Sequence, residues 1–319
     1  MYPNFYYLIK DLFHIDFYGL SAINTFGFFT ALGLAAAIYF FKNELKNKEK
    51  EGLLTFAEKK NQHGVVTEKK WPHERVGQVT LIALIGGIVG GKLFYCLENW
   101  DEFVADPQNA LLSFSGMTFY GSLIVSTLFV WIYFKRNKIP PIIVADAIAP
   151  ALMIGYAIGR IGCHLAGDGD WGKINIHPKP FNALPDWLWS YTYPHNVLSE
   201  GVFISGCDWG NYCNQLEQGV YPTSLYETIL CAILFAILWS TRKKISIPGR
   251  LFALYLMFNG TERMLIGSIR ENPTMNLLGL HVTQVELIGS IIILTGALLY
   301  YFSPQIKLQQ EIITDIQNQ

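Results

Sequence analysis

The chain has 319 residues, of which 51% are hydrophobic and only 15% charged. A soluble domain of this size carries about 25% charged residues, so this chain could not dress a water-facing surface of ordinary polarity. Its aromatic content excludes disorder, and 24 Lys+Arg against 25 Asp+Glu gives no electrostatic case for a nucleic-acid partner, which points to an integral membrane protein.

The N-terminal stretch MYPNFYYLIKDLFHIDFYGL has no basic region before an apolar run and is broken by Lys10, Asp11 and Asp16. It does not read as a cleavable signal, and its aromatics suit a segment at a membrane interface. Seven stretches then approach the roughly 20 apolar residues a bilayer crossing needs. They are Gly19–Phe41, Val76–Leu97, Thr118–Phe134, Pro141–Ile158, Ser224–Ser240, Leu251–Ile269 and His281–Phe302. The first and last are clean, and the others carry ionisable residues of the kind that face a protein interior or a wet cavity. The expected fold is an all-α polytopic membrane protein with seven transmembrane helices in one membrane-embedded domain over 1–319.

Basic residues set the orientation. Nine Lys/Arg lie between Lys42 and Arg75, three in Lys135–Lys138, four in Arg242–Arg250, and Lys307 is in the tail. In a seven-span chain these 17 of the 24 cations share one face. The N-terminus is therefore expected outside and the C-terminus inside, with 42–75 a cytoplasmic loop. The stretch 162–223, rich in Trp, Tyr, Pro and Asn, is expected as a small ordered extracytoplasmic cap. Within it Cys207 and Cys213 are either a disulfide or two thiols; both remain open at this point.

Seven charges stand out inside the spans or at their ends: Lys92, Arg160, Arg263, Arg270, Glu227, Glu262 and Glu286. At about 1.5 Å of rise per residue they all fall toward the outer leaflet. One reading is an ion-pair network that ties helices together. The other is a site for an anionic lipid headgroup or another phosphorylated amphiphile, because arginine binds phosphate bidentately and charges in lipid are kept for function. Overlapping Gly-x-x-x-Gly pairs among Gly86, Gly87, Gly90 and Gly91 point to close helix packing.

The most distinctive stretch is Asp146-Ala147-Ile148-Ala149-Pro150 followed by Gly159-Arg160-Ile161-Gly162-Cys163-His164 and the run Gly167-Asp168-Gly169-Asp170-Trp171-Gly172. It resembles the bacterial prolipoprotein diacylglyceryl transferase family, whose signature is a Gly-Arg-x-Gly-Asn stretch ending in Gly after an Asp-x-x-Ala-Pro helix. The resemblance extends over most of the chain. Tyr18-Gly19-Leu20 is similar to the family's first-span Tyr-Gly. Ser115-Gly116-Met117-Thr118-Phe119-Tyr120-Gly121 stands where the family has Gly-Gly-Met-Ser-Phe-His-Gly. Tyr221-Pro222-Thr223-Ser224-Leu225-Tyr226-Glu227 resembles His-Pro-Ser-Gln-Leu-Tyr-Glu, Arg263 and Arg270 match spaced arginines of the sixth span, and Thr283-Gln284 matches a Gly-Gln. The departures are Tyr120 for a family histidine, Cys163 for the signature Asn, Tyr221 for another histidine, Asn259 for Tyr, and Gly267 for a Glu.

What the resemblance implies is a multi-pass enzyme of the bacterial inner membrane with its site toward the outer leaflet. It would move the diacylglyceryl group of phosphatidylglycerol onto the lipobox cysteine of a lipoprotein precursor, releasing glycerol 1-phosphate without cofactor or metal. Displacement at carbon by sulfur needs a thiolate, and positive charge where the phosphate gains negative charge. Arg160 and Arg263 suit the second role, with Arg270 at the headgroup entrance. Tyr120 and His164 remain alternatives for the base; an ordinary tyrosine titrates near pH ~10, whereas imidazole titrates near neutrality. Substrate contacts are expected from Tyr18, Gly121, Gly159, Gly162, Cys163, Gly167, Asp168, Gly172, Tyr226 and Glu227, and Asp168 and Asp170 are candidates to orient headgroup or base. The rival readings are an anionic-lipid transporter or scramblase using the same arginines without chemistry, and a diverged paralogue acting on a related lipid.

Overall fold

A computed structural model describes residues 1–60, 66–112, 117–272, 274–277 and 280–317, so Ser115 and Gly116 of the third-span motif lie outside the described residues. In chain order the helices are α1 (Phe5–Phe13), α2 (Thr25–Lys50), α3 (Val76–Glu98), α4 (Trp100–Ala105), α5 (Pro107–Leu112), α6 (Phe119–Arg136), α7 (Pro141–Ala166), α8 (Asp186–Trp189), α9 (Thr223–Thr241), α10 (Arg250–Ser268) and α11 (Gln284–Gln317). Three antiparallel hairpins join them: β1 (Ala57–Lys60) with β2 (Val66–Lys70), β3 (Val202–Phe203) with β4 (Asn214–Gln215), and β5 (Thr274–Leu277) with β6 (Leu280–Thr283).

Each of the seven expected stretches overlaps a long helix, although Gly19–Ala22 lies in a 3-10 turn and His281–Thr283 in β6. Among the described residues, five of these are long and apolar enough to cross a bilayer: those in Thr25–Lys50, Pro72–Glu98, Pro141–Ala166, Thr223–Thr241 and Gln284–Gln305. The apolar runs of the other two are diluted, α6 by Lys135 and Arg136 at its end and α10 by Asn259, Glu262 and Arg263 along its length. The chain is a mostly helical, multi-pass membrane protein. Its large apolar side chains face outward along the helices, as at Leu81, Ile88, Ile291 and Leu294, where a bilayer rather than water would meet them.

The chain divides into two compact units. The first comprises Met1–Tyr39 and Ile148–Gln319. Its buried core joins Ala149, Met153 and Ala157 of α7 to Cys231 and Leu238 of α9 and Leu251 of α10. Small residues let helices touch. A Cβ on Gly33 of α2 would sit 2.6 Å from the Gly155 carbonyl of α7, and one on Gly260 of α10 would sit 2.8 Å from that of Gly289 in α11. α1 starts at Asn4, whose Oδ1 accepts from the Tyr7 amide at 3.3 Å, and ends at His14 in the left-handed region. α11 starts at a reciprocal cap, in which Glu286 Oε2 accepts from the Thr283 amide and hydroxyl at 2.8 Å each.

The cap of this unit holds together without long strands. Val220 bridges both Ile174 and Tyr191, and Cys207 and Cys213 form a disulfide. Within the disulfide loop, Trp209 stacks between Tyr7 (4.4 Å between ring centres) and His195 (4.0 Å), which ties α1 to the cap.

The second unit, Phe40–Ala147, is organised by α3 against α6. The glycine run of α3 carries that contact: a Cβ on Gly90 would meet the Gly121 carbonyl and lie 2.6 Å from the Val125 Cβ. Lys92, 7% exposed, donates to the Ala110 carbonyl at 3.1 Å.

Gly90→Leu should therefore push α3 off α6 and lower the melting temperature in detergent, since overpacking costs about 1–3 kcal/mol. Gly77→Ala, where a Cβ meets nothing within 4 Å, should leave it unchanged or slightly raised. Equal melting of Gly90→Leu and the parent chain would contradict this packing.

Candidate active site

Arg160 lies in the last two turns of α7 and is 8% exposed. A guanidinium buried in a helix bundle must be neutralised where it stands. Its Nε lies 2.6 Å from Glu227 Oε2, and its Nη2 donates to Glu227 Oε1 at 3.3 Å. Glu227, in the first two turns of α9, is 1% exposed. Tyr156 closes the set: its hydroxyl accepts from Arg160 Nε at 3.0 Å and donates to Glu227 Oε1 at 3.3 Å. Tyr156 precedes Arg160 by one helical turn, so both project from the same face of α7.

A second carboxylate reaches Arg160 from beyond the helix. Past Ala166 the chain turns through Gly167 (φ 64°) and Gly169 (φ 93°), left-handed positions that favour glycine, and doubles back to place Asp170 over Arg160. The Asp170 carbonyl accepts from Thr223 Oγ1 at 2.8 Å, and its amide donates to Asp168 Oδ1 at 3.3 Å. One carboxylate oxygen, Oδ2, pairs with Arg160 Nη1; the other, Oδ1, pairs with Arg270 Nη2 just past the end of α10. Burial raises the Asp170 carboxyl, but Arg160 and Arg270 outweigh it and hold it below the usual carboxylate range.

Arg270 presents another face to a cavity of about 450 Å³, lined also by Trp171, Ile174, Glu217, Val220 and Glu271. Arg263 is half-buried within electrostatic range of Glu227 and Glu262. Glu262 is 1% exposed with neither carboxylate oxygen hydrogen-bonded, and Arg263 and Arg160 lie within its electrostatic range.

His164 stands one turn beyond Arg160 on α7. Its Nδ1 lies 3.4 Å from both the Tyr193 hydroxyl and Ser224 Oγ, which are themselves 3.4 Å apart. Ser224 is one turn from Glu227, so the His164 layer stacks directly on the Arg160 layer. Burial raises the Tyr193 phenol, which stays a hydroxyl.

The remaining expected residues divide by what they touch. Cys163 Sγ takes a contact from Arg160 Nη1 at 3.5 Å. With Asp168 and Asp170 it brings three metal-ligand atoms within 4.8 Å of one another. Two guanidiniums already neutralise Asp170 there and would repel a divalent cation. Gly162 packs on Phe26 and Phe29 of α2, Gly167 on Asn196, and Gly172 on the Ile269 carbonyl, so these three serve backbone approach. Gly159 is different, because a Cβ there would meet nothing within 4 Å, leaving open space beside Arg160. The Tyr226 hydroxyl donates to the Leu188 carbonyl at 2.7 Å, and Tyr18 is an exposed residue of a 3-10 turn, edge-on to Tyr6. Tyr120 and Gly121 belong to the second unit, Tyr120 beside Phe119 and Gly121 at the α3–α6 crossing.

Of the seven charges singled out in the sequence, Lys92 donates to the Ala110 carbonyl within the second unit and Glu286 caps α11. Sequence reasoning missed Tyr156, Tyr193 and Ser224. Tyr156 and Ser224 carry a helical-spacing signal, one turn from Arg160 and Glu227; Tyr193 in the cap carries none.

Over residues 12–302 the sequence matches the family model described as prolipoprotein diacylglyceryl transferase. The chain belongs to that family. A protein of Dehalococcoides mccartyi named phosphatidylglycerol–prolipoprotein diacylglyceryl transferase is 30% identical over 223 residues, 69% of this chain and 74% of the relative. One of the same name from Corynebacterium diphtheriae is 28% identical over 68% of this chain and 74% of its own length. Another from Clostridium tetani is 25% identical over 90% of this chain and 94% of its own. The family expected from the Arg160 motif is the one found.

The Asp170 pairing has a pH signature. Its depressed carboxyl stabilises the fold fully above the ordinary titration range, about 3.9, and the contribution is lost as pH falls through the lower folded value. Asp170→Asn leaves two guanidiniums short of a partner, a loss of about 3–5 kcal/mol for a buried pair. The melting-temperature gap between parent and variant should be large near neutral pH and shrink below about pH 4. A gap that stays constant with pH would contradict the assignment.

Proposed function

We propose that this chain transfers the diacylglyceryl group of phosphatidylglycerol to the lipobox cysteine of prolipoproteins, the activity named for its relatives. The observation that carries the reading is the single Asp170 carboxylate whose two oxygens each hold an arginine, one on α7 and one just past the end of α10. Two guanidiniums spaced to grip two oxygens of one anion also suit two oxygens of a phosphodiester. A headgroup phosphate bears the same single negative charge as Asp170, so it replaces that carboxylate without changing the charge balance around Arg160. Glu227 and Tyr156 keep Arg160 in place during the exchange.

The reaction then needs three things from these residues. The cysteine sulfur attacks the diacylglyceryl carbon bearing the phosphate ester. A thioether C–S bond forms as the C–O bond breaks, and the electron pair leaves with glycerol 1-phosphate. Arg160 and Arg270 stabilise the charge gathering on that phosphate, with Arg263 adding positive potential from below. The thiol proton goes to His164, whose Nδ1–H donates into the Tyr193–Ser224 hydroxyl pair and leaves Nε2 as acceptor. Open space at Gly159 admits substrate close to the α7 backbone. No step calls for a cofactor or metal.

The same reading places all seven long helices across the bacterial inner membrane, N-terminus outside and C-terminus inside. In that arrangement 1–319 is one transferase domain, 42–75 faces the cytoplasm and cap 162–223 lies outside. The basic residues in 42–75, 135–138 and 242–250 support this orientation, and so does the Cys207–Cys213 disulfide, a bond of oxidising compartments.

Purified protein given labelled phosphatidylglycerol and a lipobox peptide should form the thioether. Arg160→Ala should reduce the rate by about 10²–10³ or more, the loss typical of one charge-stabilising donor. Movement of lipid between leaflets with no peptide modification would replace the transferase with a transporter. His164→Ala should cost more activity than Tyr120→Phe; the opposite order would hand the base to Tyr120.

A further inference from the structure

The cap carries one lobe, residues 173–189, whose side chains do not suit water. Ile176 is 81% exposed, Phe181 58% and Trp187 52%. The lobe is nonetheless pinned by its own bonds. Asn175 Nδ2 donates to the Trp189 carbonyl at 2.6 Å, Trp189 Nε1 to the His177 carbonyl at 3.0 Å, and Lys179 pairs with Asp186 at 2.7 Å. Order has been spent on a lobe that leaves Ile176, Phe181 and Trp187 exposed.

Both ends of the lobe are tied to helix ends. The Lys173 amide donates to the Ile269 carbonyl at 2.8 Å and its Nζ to the Ser268 carbonyl at 3.0 Å, at the exit of α10. At the other end the Leu188 carbonyl accepts from Tyr226 in the first turn of α9. α9 and α10 follow each other through a short connection, so Thr223 and Ser268 lie at the same face of the membrane. A segment fastened to both ends lies at the depth where the spans leave the apolar interior. Lys173 and Lys179 are the only two Lys/Arg of the stretch 162–223, and both fall in this lobe beside its exposed aliphatic and aromatic groups. An apolar tip with an indole and flanking lysines at that depth is the pattern of an element seated in headgroups and upper acyl chains.

We propose that lobe 173–189 is a membrane-docking element that inserts Ile176, Phe181 and Trp187 into the adjacent lipid leaflet. Ile174 at its root lines the Arg270 cavity, so docking presses the mouth of that cavity against the leaflet and lets a lipid headgroup enter without crossing water. The proposal rests on reading α9 and α10 as spans, and not on the transfer chemistry.

The test uses the full-length protein in vesicles of phosphatidylcholine and phosphatidylglycerol, with a benzophenone amino acid incorporated singly in place of Ile176, Phe181 or Trp187. Leu294, 60% exposed on the apolar part of α11, is the lipid-facing control, and Asp208 in the disulfide loop is the aqueous one. After irradiation, intact-mass spectra at all three lobe positions should show the phospholipid-sized addition seen at Leu294. Spectra matching Asp208, or cross-links to a second polypeptide, would overturn the proposal. Lipid adducts from a protein that modifies no lipobox peptide would keep the docking element and remove the transferase reading.

Discussion

A guanidinium inside a helix bundle imposes conditions on everything around it, and Arg160 shows how far they reach. Glu227 is held against it from α9, Tyr156 from the preceding turn of its own helix, and Asp170 from the loop beyond. Asp170 in turn engages Arg270, so one carboxylate links α7 to the end of α10. The sharp turn through Gly167 and Gly169, the Thr223 bond to the Asp170 carbonyl and the close seating of Gly172 on Ile269 all serve that placement. Removing a partner from such a buried set costs more than the pair gains on forming, which makes the arrangement stiff without making it a large source of stability.

The functional consequence follows from the same economy. Two carboxylates face the single charge of Arg160, and one of them, Asp170, comes from a loop rather than a long helix. In the proposed function that loop partner is exchanged for a substrate anion of equal charge while Glu227 and Tyr156 hold the cation still. His164 occupies the next layer, with its Nδ1 within reach of two hydroxyls.

Much of this was legible in the sequence because a membrane leaves few options for apolar runs and for charges within them. All seven apolar stretches overlap long helices, and Arg160, Arg270 and Glu227 were identifiable as charges that lipid would not tolerate without reason. α6 and α10 are less clearly spans because Lys135, Arg136, Asn259, Glu262 and Arg263 interrupt them. Other parts were illegible. Asp168 and Asp170 look equivalent in Gly-Asp-Gly-Asp, and only the two left-handed glycines decide which reaches the arginines. Lys92 looked like Arg160 by depth, yet it donates to a backbone carbonyl in its own unit. The cap has no periodicity to read, since isolated bridges, a disulfide and stacked rings hold it together.

The central claim is that Asp170 stands where the headgroup phosphate binds. Titration calorimetry of glycerol 1-phosphate into the detergent-solubilised protein tests it most directly. If the claim holds, Asp170→Asn binds the anion more tightly than the parent chain, because the competing carboxylate is gone, while Arg160→Ala loses binding. If Asp170→Asn weakens binding as much as Arg160→Ala does, Asp170 only braces the arginines and the account is wrong.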